Sequence, residues 1–124
     1  MPTRLHAELG DSQWFVACLC ADWCDTCRAY RKAFEKLARD NAVDAFVWVD
    51  IEDDSEWVGD IDVENFPTIL ICKGETPHFF GTLLPHIDQL AKLLASVKTN
   101  SRQISTDSAD LLQLAARIRG EIIK

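Results

Sequence analysis

Two strand-like apolar runs separated by one amphipathic helix set the narrowest limit on what this chain can fold into. Trp14 to Cys20, Trp-Phe-Val-Ala-Cys-Leu-Cys, is unbroken apolar sequence bounded by Gly10-Asp11-Ser12. Such a run reads as a strand covered on both faces. From Cys24 to about Asp40 the period changes. Tyr30, Phe34, Leu37 and Asn41 recur at helical spacing with Ala33 and Ala38 beside them, and Arg28, Arg31, Lys32, Glu35 and Lys36 take the outer face. Ala45 to Ile51 is a second apolar run. Strand, helix and strand in this order predict a parallel crossover unit.

Downstream the pattern differs. Glu52 to Asn65 reads as loop with a short helix around Ser55-Glu56-Trp57-Val58. Thr68 to Cys72 is a third strand, Lys73-Gly74-Glu75 a turn, and Pro77 to Thr82 a fourth strand paired as a hairpin. Pro85 opens a helix with Ile87, Leu90, Ala91, Leu94 and Val97 on one stripe. A polar break follows at Lys98 to Gln103. Asp107 or Ser108 then caps a last helix striped by Leu111, Leu114, Ala115, Ile118 and Ile122. The expected fold is α/β, a central mixed sheet of about four strands flanked by helices. A domain over 1–98 is followed by a linker and a C-terminal amphipathic helix over 99–124, packed on or next to it.

At 124 residues and 48% hydrophobic content, one domain can bury a core without staples. The formal net charge of -7 argues against a nucleic-acid partner, which needs a positive footprint, and against an anionic membrane surface. No stretch approaches the roughly 20 apolar residues of a membrane span. The N-terminus lacks the apolar core of a secretory signal, so a cytoplasmic location is expected. Five cysteines, four of them within Cys18 to Cys27, do not look like a secreted disulfide framework.

The chemistry centres on Cys24-Asp25-Thr26-Cys27, which follows a strand and begins a helix. A cysteine on a first turn meets unpartnered N–H groups and the positive end of the helix, both of which favour the thiolate. Cys24 would attack a substrate disulfide. Cys27, one turn inside and less exposed, would attack the resulting mixed disulfide and release the reduced substrate.

Trp23-Cys24-Asp25-Thr26-Cys27 resembles the active-site motif of the thioredoxin family, usually Trp-Cys-Gly-Pro-Cys. Phe66-Pro67-Thr68 resembles that family's cis-proline segment, and Gly81 sits where the family has a glycine after its last strand. The likeness runs from about Gln13 to Val97. It implies a thioredoxin-like fold that exchanges disulfides with protein substrates and needs no bound cofactor or metal. Electrons would come from a thioredoxin-reductase-type donor. It also implies a cis peptide before Pro67, which would present substrate-binding backbone, and a substrate rim of Trp23, Asp25, Thr26 and Phe66.

The chain also departs from the family. Cys18 occupies a position where members often bury an acid, and Trp48 one where they often carry a lysine, so the usual proton relay is absent. Asp25-Thr26 replaces Gly-Pro. The family usually has a strand and a full helix before the strand at Trp14. Here that part is shortened, and the added C-terminal helix would cover the surface left open, bind a partner or make a dimer.

Other readings compete for several of these residues. A zinc site needs four ligands, but there is no second Cys-x-x-Cys, and His6, His78 and His86 are scattered. Cys18 and Cys20 share one strand face and read as small buried hydrophobes, as does Cys72. Nine carboxylates between Asp44 and Glu64, with no Lys or Arg, read as a solvated face rather than a docking patch. A binding or assembly module that kept the fold and lost turnover is the rival to the oxidoreductase.

Overall fold

The strand-helix-strand unit forms as its periodicity predicts. In the computed structural model, which describes residues 3–4, 14–21, 24–41, 44–52, 54–58, 66–100 and 109–122, strand β2 spans Trp14–Cys20, helix α1 Asp25–Asp40 and strand β3 Ala45–Asp50. A short strand β1, Thr3–Arg4, precedes them. Helix α2 is Ser55–Val58, strands β4 and β5 are Thr68–Lys73 and Thr76–Thr82, and helices α3 and α4 are Ile87–Asn100 and Ala109–Ile122. The sheet order is β1-β3-β2-β4-β5. β2 and β3 run parallel, as the crossover requires, and the remaining pairs are antiparallel. The β4–β5 hairpin turns at Gly74, whose φ of 63° lies in the left-handed region that favours glycine. Trp23, His6 and the expected cap at Asp107 or Ser108 lie outside the described residues.

Alternation along β2 divides the interior in two. Trp14, Val16, Cys18 and Cys20 lie beside Phe46, Trp48, Ile69 and Ile71 on the sheet face that packs against the inner sides of α1 and α3. Phe15, Ala17 and Leu19 lie beside Val47, Val49, Leu70 and Cys72 on the opposite face. Every residue of β2 and β3 is buried, which is why both read as continuous apolar runs. The second layer is closed by α4, whose Leu111, Leu114, Ala115 and Ile118 pack into it. The C-terminal helix therefore covers the sheet face opposite α1.

The end of α3 differs from expectation. α3 runs through Lys98 and Thr99 to Asn100 instead of breaking at Lys98. Lys98 Nζ reaches back to donate to both carboxylate oxygens of buried Asp44, at 3.1 and 3.0 Å, and the Thr99 hydroxyl donates to the Ala95 carbonyl. Both contacts hold a polar last turn in helical form. Among the described residues no helix is long and apolar enough to cross a membrane.

Candidate redox site

The site forms where the end of β2 meets the start of α1. Cys24 is the N-cap, in extended conformation. Its N–H donates to the Ala21 carbonyl at 3.1 Å, and its own carbonyl accepts from Arg28 N–H at 3.1 Å. This turn folds the helix back over the strand that feeds it. Cys24 is half-buried and Cys27 fully buried, as expected of an outer and an inner sulfur. Asp25 and Thr26 are exposed, and Asp25 pairs with Arg28 one turn on, which offsets its charge beside the cysteines.

Sheet register brings the second motif to the same place. Leu19 lies opposite Thr68 in the antiparallel β2–β4 pair. Pro67 immediately precedes that pair, at the end of β2 that carries Cys20. The Phe66–Pro67 peptide is cis. The Pro67 carbonyl accepts from Leu83 N–H at 3.1 Å, which ties the loop to the exit of β5. Phe66 and Cys24 both border the apolar layer that contains Cys20 and Cys27. On the other side, the parallel register pairs Cys20 with buried Asp50, whose carboxylate accepts from Glu52 N–H at 2.8 Å.

The sulfur pairing corrects one sequence expectation. Cys20, read as a small packed hydrophobe, is disulfide-bonded to Cys27, with Cα atoms 5.8 Å apart, and Cys24 is a free thiol. Strand alternation accounts for it. Cys20 is the last residue on the β2 face that α1 covers, and Cys27 projects inward from the first turn of α1. The Cys27 sulfur also accepts from Ala21 N–H at 3.5 Å. The available signal was the parity Cys20 shares with Trp14, Val16 and Cys18.

Cys18 and Cys72 are free and buried, as expected of packed thiols. Burial pushes both thiols up, more than a nearby Arg119 lowers Cys72. Tyr30 rises too, first by burial and then by the neighbouring Cys18. In the unfolded chain these thiols ionise near 9.0, whereas the folded protein keeps them protonated. Their contribution to stability is therefore complete below that pH and is lost as pH rises above it. Each costs up to about 1.4 kcal/mol per pH unit. Urea unfolding of the reduced protein from about pH 8 to 10.5 is expected to show this decline, and Cys18→Ala to reduce its slope. A wild-type slope equal to that of Cys18→Ala would contradict the buried-thiol account.

The expected acid position on the sheet is thus held by an inert thiol, and at the lysine position Trp48 packs under the Arg31 guanidinium, 5.2 Å from the ring centre. Among the described residues no three His, Cys, Asp or Glu side chains gather as metal ligands.

Fold and site together define a thioredoxin-fold domain with a cysteine pair at the strand-to-helix junction. A family model described as Thioredoxin matches residues 3–95, and the chain belongs to the thioredoxin family. Several solved structures share the fold. Thioredoxin f from spinach chloroplast, in its long form, is 19% identical, with 74% of this chain and 76% of that one covered and a TM-score of 0.62. Fasciola hepatica thioredoxin is 21% identical, covering 70% and 83%, at 0.63. A mutant thioredoxin from Halobacterium salinarum is 23% identical, covering 70% and 76%, at 0.60. No curated protein matches the chain. Family and cysteine pair make thiol–disulfide exchange the general chemistry of this domain.

Proposed function

We propose that this chain is an oxidoreductase for protein disulfides, with Cys24 as nucleophile and Cys27 as resolving thiol. The Cys24 thiolate attacks one sulfur of a client disulfide. A Cys24–client bond forms, and the other client sulfur leaves as a thiolate and takes up a proton. Cys27 then attacks Cys24 Sγ, closing an intramolecular disulfide and releasing the second client thiol. A thioredoxin-reductase-type donor returns two electrons, and the setting is cytoplasmic. Trp23, Asp25, Thr26 and Phe66 form the rim, and the backbone around Pro67 pairs with an extended client segment. No cofactor or metal takes part.

The observation that carries this reading is the gradient of exposure along one helical turn. Cys24 is reachable at the N-cap and Cys27 is fully buried behind it, with the cis-Pro67 loop alongside. Its test is trapping. Cys27→Ser removes the resolving thiol, so mixed disulfides between Cys24 and client proteins are expected to accumulate and to dissolve on reduction. No adduct from Cys27→Ser, while a Cys24→Ser control still binds the same proteins, would establish the rival reading of a binding or assembly module. That rival is favoured by one specific feature: Cys27, bonded to Cys20, has no free thiol with which to resolve an adduct.

A further inference from the structure

We propose that Cys20 is a third redox cysteine, which exchanges with Cys24 for the sulfur of Cys27, so that the oxidised protein keeps its disulfide inside and presents Cys24 as a free thiol. The inference builds on the exchange chemistry proposed above but concerns a residue outside the Cys-x-x-Cys motif.

Cys27 has two partners within bonding reach. Cys20 is bonded to it across the strand-to-helix junction, at a Cα separation of 5.8 Å that lies inside the range disulfides require. Cys24 precedes it by three residues at the N-cap of the same helix, the Cys-x-x-Cys spacing at a helix start that can close a small disulfide ring. The two bonds share one sulfur and exclude each other. Their surroundings differ. Cys20 and Cys27 have no exposed surface, whereas Cys24 is half-buried. A Cys20–Cys27 bond therefore lies out of reach of external thiols, while a Cys24–Cys27 bond offers its Cys24 sulfur to attack.

The interconversion needs no oxidant. Starting from the Cys24–Cys27 disulfide, the Cys20 thiolate attacks Cys27 Sγ. The Cys20–Cys27 bond forms, the Cys24–Cys27 bond breaks, and the electron pair leaves on Cys24. The proton given up by Cys20 ends on Cys24, and the number of disulfides is unchanged. The consequence is a resting oxidised form whose surface thiol can capture a disulfide but cannot be resolved until Cys27 is released. Attack by Cys24 on Cys27 Sγ runs the same exchange backward and reopens the two-cysteine cycle.

The test uses the full chain equilibrated at the oxidising end of a dithiothreitol redox buffer. Free thiols are blocked with N-ethylmaleimide in denaturant at mildly acidic pH, where exchange is slow. Cleavage before Asp22 and Asp25 puts Cys20, Cys24 and Cys27 on different peptides, and fragmentation separates Cys20 from Cys18. The expected result is the Cys20 peptide joined to the Cys27 peptide in most molecules, with maleimide on Cys24. Cys24 joined to Cys27 in most molecules overturns the inference and leaves the proposed function standing. Cys24→Ser, unfolded and refolded in the same buffer so that both inner thiols meet the oxidant, is expected to hold a Cys20–Cys27 disulfide; its absence also overturns the inference. With the inner isomer in about tenfold excess, Cys20→Ala makes the couple about tenfold easier to reduce, roughly 30 mV less negative. An unchanged potential counts against Cys20. A Cys20→Ala protein that closes no Cys24–Cys27 bond instead strikes at the proposed function.

Discussion

Cys24→Ser is expected to lower disulfide reductase activity by at least about three orders of magnitude, equivalent to roughly 4 kcal/mol of transition-state stabilisation. The physical reason is access. Of the three clustered sulfurs only Cys24 has exposed surface, so Cys20 and Cys27 have no path to a client disulfide. Serine is nearly isosteric but does not ionise at neutral pH and makes no bond to the client sulfur. Reduction of a model disulfide protein with dithiothreitol as donor is the measurement. Retention of more than about a tenth of wild-type activity would mean that the buried pair turns over by itself. The exchange would then require local opening of the α1 start, and the exposure argument fails.

Phe34→Ala should remove about 3–5 kcal/mol of stability, the usual cost of emptying a fully buried phenylalanine site. Phe34 has no exposed surface. Its ring centre lies 6.4 Å from that of Tyr30, 5.4 Å from Phe46 and 5.9 Å from Trp48. It therefore joins α1 to β3 through two aromatic contacts and stacks on Tyr30 within α1, in the same layer that holds Cys20 and Cys27. Against a total of about 5–15 kcal/mol for an ordinary domain, this loss brings the protein near its unfolding threshold. A Tm fall of roughly 10–20 °C is expected. Lys36→Ala, on the exposed side of the same helix, should change stability by no more than about 0.5 kcal/mol. A Phe34→Ala cost below about 1 kcal/mol would refute its place at the centre of that layer.

Much of the architecture is legible in the residues themselves. β2 and β3 announce themselves because a parallel strand covered on both faces must be apolar throughout, and Trp14 to Cys20 and Ala45 to Ile51 are nearly so. α1 is legible because the residues that bury its inner face, Tyr30, Phe34 and Ala38, recur at helical spacing. The Gly74 turn and the strands on either side follow from turn chemistry. Cys24 and Cys27 stand out because their spacing coincides with a change of period from strand to helix. Phe66 and Pro67 stand out only by likeness to a family motif, since nothing in their local composition points toward Cys24 and Cys27, which lie far back in the chain.

What a local pattern encodes is periodicity and backbone preference, and for this chain those decide the order and type of the elements and the place of the Cys-x-x-Cys turn. Which side chains meet is another matter. Lys98 reaches Asp44 across 54 positions, α4 closes the layer opposite α1, and Cys27 bonds Cys20 rather than the cysteine its motif pairs it with. Each of these depends on how elements stack and in what register they lie. That choice is made by burying apolar area collectively over the whole domain, and no window of neighbouring residues contains it.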